Sequence, residues 1–379
     1  MSAGQLSGVV TVVFCAVTLC LAPVMTRPTV SFGVRIPGER TDSPVIRRER
    51  RAYFWRTAAV GACGTIAALL LHAHGAWWLS RVILLLEVAA DLGCYWLARQ
   101  QVTAVKTAED WYAGHRQIVA TDTSWRTDPP RFQVRWLIPA LAVIAVTVVV
   151  GAVRYPDLPA RLAVEGWGGR RVPKSVVRAF AVVAVQLYVT TLWTGLMLLV
   201  YRARPDIEAT DPAASTRRYR RYLTAVTRAV LTLLALVDLS LLLVALRTWQ
   251  VYRPSGPAAA LPVLPFAVGL LGLAVVSLRT GQGGSRLRGG GVGASTGAGT
   301  GTGAGAGARR PATETDRDDD RFWKAGLIYV NRDDPAILVG ARFGVGWTFN
   351  LANPTAWLVI AAIVAMPAGL AAIVAAAGR

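Results

Sequence analysis

Histidine and cysteine are scarce, three and four residues in a chain of 379, and no C-x-x-C pair is present. A zinc or dithiol redox site therefore has no support from ligand spacing. Cys15, Cys20, Cys63 and Cys94 all fall inside apolar runs, where thiols act as small packing groups. Acidic residues are few as well, 22 against 41 Lys and Arg, so the formal net charge is +19. The only G-x-S-x-G, at 293–297, is part of a Gly-rich repeat with no predicted strand before it or helix after it, and H-E-x-x-H and the kinase set are absent, which leaves no enzyme class to favour. The chain is expected to be non-enzymatic, without cofactor or metal.

What the sequence has instead is apolar length. Hydrophobic residues make up 54% of the chain and charged ones 17%, with a mean hydropathy of +0.42. A hydrocarbon core of about 30 Å needs roughly 20 apolar residues in a helix. Eight runs approach that length: residues 6–25, 57–73, 76–98, 136–153, 179–201, 223–246, 259–278 and 357–376. The fold class this predicts is an all-α polytopic membrane protein of about eight transmembrane helices, with a small β-rich cytoplasmic module before the last one. In a soluble chain the excess of Arg would suggest a nucleic-acid partner. Here the charges interleave with membrane-length runs, so the partner they predict is a bilayer with anionic headgroups and not a nucleic acid.

The basic loops at residues 26–56, 99–135 and 202–222 are expected on the cytoplasmic side of a bacterial inner membrane, which places both termini outside. Trp77 and Trp78, at the tip of a tight hairpin, suit the outer interface. The organisation expected is an N-terminal membrane region over 1–135, a four-span module over 136–280 and a Gly-rich tether with an acidic segment over 281–320. A β-rich membrane-surface module over 321–354 and a final helix over 355–379 complete it. The tether alternates Gly with Ala, Thr and Ser and cannot bury enough apolar surface to order itself.

Ionisable residues inside spans are costly, so each is a functional candidate. Glu87 and Asp91 are four apart, on one face of the third run, and Asp238 lies within the sixth. Converging, they would share a proton or bind a cation, the basis of an ion-coupled transporter as the alternative reading. Apart, each would be a helix-to-helix hydrogen bond with a partner such as Arg81, Arg228, Thr190 or Thr194.

The stretch at 321–354 has a local logic of its own. Residues 325–330 are β-prone, NRDDP at 331–335 reads as a turn, and 337–339 return as the partner strand. Val345, Trp347, Phe349 and Leu351 alternate with polar or small residues, the period of a half-buried strand. Its Trp/Tyr/Phe face is expected to rest on headgroups. Asn353 and Pro354 form a cap and first-turn pair for the last helix.

Two stretches resemble known families. YPDLPAR with PKS following, in which Tyr155, Pro156, Leu158, Pro159, Arg161, Pro173, Lys174 and Ser175 match, resembles the YPxLPxR…PKS loop of bacterial membrane proteins related to the SdpI immunity protein. LAVEGWGG stands where that family carries a His-aromatic pair. The segment from Trp323 to Asn350 resembles a short module of unknown function found near the C-terminus of similar membrane proteins, with the pattern W-K-x-G-x-x-Y-x-N-x-x-D-P…G-x-G-W-T-x-N. Trp323, Tyr329, Asn331, Asp334, Trp347 and Asn350 occupy its defining positions. The first resemblance implies toxin immunity or membrane-borne signalling, with a peptide toxin or signalling partner, and the outer loop as receiving surface. The second implies kinship and no chemistry.

Overall fold

A computed structural model of the chain describes residues 3–76, 79–111, 129–163, 171–203, 212–252, 258, 260–287 and 319–376. Trp77, Trp78, the LAVEGWGG segment beyond its first two residues, the later part of the second basic loop and most of the Gly-rich stretch lie outside the described residues. The long helices are α1 (Ala3–Met25), α2 (Pro44–Ala73), α3 (Ser80–Ala108), α4 (Ile138–Arg154), α5 (Ala181–Arg202), α6 (Pro212–Thr248), α7 (Val263–Thr280) and α8 (Pro354–Ala376). Their ends carry recognisable signals. Ser43 Oγ accepts from the Ile46 amide ahead of Pro44 in the first turn of α2. Asn353 Oδ1 accepts from the Thr355 amide at 2.9 Å, capping α8. Gly281, at φ 63°, ends α7.

The helices form two bundles. α1, α2 and α3 pack on one another, whereas α6 is the centre of the second group and touches α4, α5 and α7. α1 also contacts α7, which joins the groups, and α8 lies against α5, with the Tyr188 hydroxyl donating to the Ile363 carbonyl at 2.9 Å. Polarity runs inside out relative to a water-soluble protein. Leu85 and Leu358 are 70% and 71% exposed, while Glu87, Asp91 and Asp238 are buried. Side chains of that kind face hydrocarbon without cost, and the carboxylates are kept from it. Among the described residues, five helices are long and apolar enough to cross a membrane: Pro44–Leu71, Val134–Arg154, Ala181–Arg202, Ala214–Thr248 and Val263–Gly284. α1 and α8 contribute the shorter apolar stretches Thr11–Met25 and Pro354–Gly369. α3, with Arg81, Glu87, Asp91 and Arg99 along its length, falls outside that set.

Small two-stranded sheets close both ends of the helices. At one end β1 (Val30–Ser31) and β2 (Val34–Arg35) form a hairpin in which Val30, Ser31, Phe32, Val34 and Ile36 are all buried. At the other, β3 (Arg161–Ala163) and β4 (Arg171–Pro173) cover α4, α5 and α6. The C-terminal module has β5 (Trp323–Lys324) paired with β6 (Ile328–Tyr329), and β7 (Leu338–Gly340) paired with β8 (Trp347–Phe349).

The pairing corrects one expectation. Residues 337–339 do not return onto 325–330; they pair with β8, and β6 meets β8 only through a bridge between Tyr329 and Asn350. NRDDP is not a hairpin turn because its side chains bond the local backbone: Asn331 Oδ1 accepts from the Asp333 amide and Asp334 Oδ1 from the Ala336 amide, each at 3.0 Å. A second correction concerns the start of the tether. Residues 281–287 are structured, with a 3-10 turn at Gln282–Gly284 and Gln282 buried.

Candidate functional site

The C-terminal module sits across the ends of both bundles and is held to each by side chains. Toward the first bundle, the buried Arg342 stacks 4.6 Å over the Trp323 ring and donates to the Gly33 carbonyl at 3.2 Å and to Asp320 Oδ1. Lys106, at the end of α3, donates to Asp320 Oδ2 at 2.7 Å. Burial pushes the Asp320 carboxyl up, but Arg342 and then Lys106 outweigh it, and the group titrates below its ordinary value. The Tyr95 hydroxyl of α3 lies 3.0 Å from the carbonyls of both Phe32 and Ala325. Phe343 packs against the rings of Tyr95 and Tyr53.

Toward the second bundle the joint is Gln282. Its Nε2 donates to the carbonyls of Gly346 at 2.7 Å and Ala341 at 3.2 Å, and its Oε1 accepts from the Gly346 amide at 2.8 Å and from the Tyr222 hydroxyl at 3.3 Å. Trp347 packs on Tyr222 of α6. Thr26, just after α1, accepts from the Gly344 amide at 2.8 Å. The aromatic face expected on headgroups is thus turned onto protein: Trp323 and Tyr329 are buried, and Trp347 belongs to the cluster around Tyr219, Tyr222 and Leu338.

The motif residues build the inside of this module. Asn331 Nδ2 donates to the Tyr329 hydroxyl at 3.1 Å, and that hydroxyl donates to Asp334 Oδ2 at 3.0 Å. Asn350 Nδ2 donates to the carbonyls of Asn331 and Asp334 while its Oδ1 accepts from the amides of Asn331 and Ala352. All four side chains are buried. The network satisfies backbone groups that would otherwise be stranded, and it leaves these residues with a structural task.

The YPDLPAR…PKS residues come together at the opposite end. Lys174 donates to the carbonyls of Pro156 and Leu158, each at 3.2 Å, and lies 4.6 Å over the Tyr155 ring. Pro159 is half-buried, Pro156 and Arg161 are exposed, and Leu158 and Leu162 anchor the hairpin beside Ala179, Ala245 and Trp249. Lys174→Met should destabilise this hairpin by about 1–2 kcal/mol, from two charge-assisted hydrogen bonds and one cation–π contact. A fall in unfolding temperature in a membrane mimetic, larger than that of Arg161→Met, checks it.

The buried carboxylates Glu87, Asp91 and Asp238 divide between the bundles. Glu87 and Asp91 share one face of α3, inside the first bundle, with Glu87 against Gly64 of α2; none of their four oxygens has a hydrogen-bond partner among the described residues. Asp238 lies in the second bundle, where Thr190 of α5 donates to its Oδ2 at 2.9 Å. The sequence had offered Thr190 as such a partner; Arg228 instead donates to Gln133 Oε1 at 2.8 Å and stacks on Trp136. A carrier using all three carboxylates therefore lacks a common site. Gln186, buried beside Asp238, was not foreseen; its signal is the polar stripe Gln186, Thr190, Thr194 at i, i+4 and i+8 on an otherwise apolar helix.

Residues 332–357 match a family of unknown function (DUF5808), a stretch that runs from the NRDDP loop through Asn350 into the first turn of α8. No curated protein matches the chain, and no solved structure does.

Proposed function

We propose that the chain is a non-enzymatic protein of the bacterial inner membrane, crossing it eight times with both termini outside, that confers immunity or relays a signal. The Tyr155–Ser175 hairpin would be the surface that receives a membrane-active peptide or other signalling partner, and the module at 321–354, on the cytoplasmic side, would report it. The observation that carries this reading is the joint itself. One small module bonds to α3 and the β1–β2 hairpin on one side and to Tyr222 and Gln282 on the other, so a shift of either bundle is felt at a single place. The resemblance of the outer loop to the SdpI-related proteins supplies the receiving role, and the basic loops supply the orientation.

The test compares cells with and without the gene under challenge by membrane-active peptides, reading survival and the transcriptional response. Greater survival, or a response that depends on the gene, is expected. Equal survival together with unchanged transcription would remove both forms of the reading. A periplasmic signal from a reporter fused in the basic loop at 26–56 would reverse the orientation.

A further inference from the structure

The second bundle holds a polar cluster that none of the contacts above explains. Thr147 of α4, Gln186 of α5 and Asp238 of α6 are fully buried, and Thr190 of α5 is 5% exposed. Gln186 Nε2 donates to Thr147 Oγ1 at 3.1 Å and to the Asp238 main-chain carbonyl at 2.9 Å. That carbonyl can only accept, which fixes the amide orientation and commits Oε1 to the other side. Thr147 donates its own proton to the Val143 carbonyl and Thr190 donates to Asp238 Oδ2. Two acceptors remain, Gln186 Oε1 and Asp238 Oδ1, both buried without a partner, and Thr194 Oγ1, one turn beyond Thr190, is also without one.

Stranded acceptors in an apolar bundle are expensive, and a bare carboxylate more so. No Lys, Arg or His forms an ion pair with Asp238 among the described residues, and every donor of Thr147, Gln186 and Thr190 is already committed. What the cluster lacks is positive charge, and what it offers is oxygen. We propose that Thr147, Gln186, Thr190 and Asp238 form an intramembrane site for one sodium-type monovalent cation, held between α4, α5 and α6. Oxygen-only ligands select a hard cation over a transition metal. A single carboxylate balances one charge, whereas a divalent ion would leave an uncompensated charge in the bundle. Asp238 Oδ1 and Gln186 Oε1 are the principal ligands; the hydroxyls of Thr190 and Thr147 each retain a lone pair after the bonds described. The bound ion would tie three helices together at a depth that the module does not reach. The inference does not rest on the receptor reading, and either can fail alone.

The experiment uses the full chain in lipid nanodiscs. Unfolding temperature is followed as sodium chloride replaces choline chloride at constant ionic strength, alongside direct binding of radioactive sodium. A saturable rise with sodium, absent with choline, is expected, since a ligand that binds only the folded state stabilises it in proportion to the logarithm of its concentration. Binding of roughly one sodium ion per chain should accompany it. Asp238→Asn and Gln186→Leu should each abolish the sodium-dependent increment, while Glu87→Gln, in the other bundle, should retain it. Should Asp238→Asn fail to fold, loss of sodium binding in Gln186→Leu decides the matter. Indifference of the wild-type chain to sodium, retention of the increment in Asp238→Asn, or dependence on pH without dependence on sodium would each overturn the proposal, the last by making the occupant a proton.

Discussion

Arg342→Ala is expected to undock the C-terminal module from the first bundle, at a cost of about 3 kcal/mol. Arg342 is 5% exposed, and its guanidinium joins Asp320, the Gly33 carbonyl and the Trp323 ring at once. Truncating it strands that carbonyl and leaves Asp320 with Lys106 as its remaining ion-pair partner. A lysine in its place keeps the charge but loses the planar group that stacks and forks, so Arg342→Lys should recover only part of the loss. Thermal unfolding and limited proteolysis within 319–353 are the measurements; an unchanged cleavage rate in Arg342→Ala would refute the role given to it. The same contact predicts an acid dependence. The Asp320 carboxyl is held below its ordinary value in the folded protein, so its contribution is complete above the unfolded value of about 3.9. It is then lost as pH falls through the lower folded value. In Arg342→Ala that acid-sensitive increment should shrink, because the larger of the two opposing charges has gone.

How much of this the sequence reveals depends on the range of the interaction. Apolar length is a property of each run by itself, so helices are readable, as is the Asn353–Pro354 start of α8. The family match over 332–357 is also readable in part, because Asp334, Trp347 and Asn350 of the sequence pattern fall inside it. Their task is not. Asn331, Asp334 and Asn350 look like turn and solvent chemistry until β8 closes over them, and Tyr329 turns out to bond Asp334 rather than headgroups. Gln282 is the clearest case. In a run of glycines it looks like part of a linker, and its value as a four-contact bridge exists only once Tyr222 and Gly346 have been brought to it. Val30, Phe32, Val34 and Ile36 alternate as one strand would, yet the chain turns at Phe32 and Gly33, and Phe32, Val34 and Ile36 are buried by packing with Tyr53 and Tyr95 rather than on one strand face.

The largest expected effect after Arg342 falls on a residue with no side chain. β1 and β2 are joined by Phe32 and Gly33, with φ of 49° and 72°, a two-residue turn of the kind that needs positive φ at both central positions. The module approaches it with a turn of its own, Ala325 and Gly326, at φ of 52° and 73°. The two tips meet backbone to backbone. A Cβ on Gly33 would stand 2.5 Å from the Gly326 carbonyl oxygen and 2.7 Å from its Cα, atoms that no rotamer change can move. Gly33→Ala therefore combines left-handed strain of about 1–2 kcal/mol with overpacking of about 1–3 kcal/mol. The Tyr95 hydroxyl, also 2.5 Å from that Cβ position, would have to leave the two carbonyls it bridges. A total loss of about 3 kcal/mol is expected, read as a lower unfolding temperature and faster cleavage in the module. Gly38→Ala, where a Cβ meets nothing within 4 Å, is the control and should be neutral. Gly326→Ala breaks the same contact from the other side but adds left-handed strain of its own, at φ 73°, so the double variant should lose clearly less than the sum of the two single losses. Full additivity would mean that the two tips act separately and that the module is held by its side chains alone.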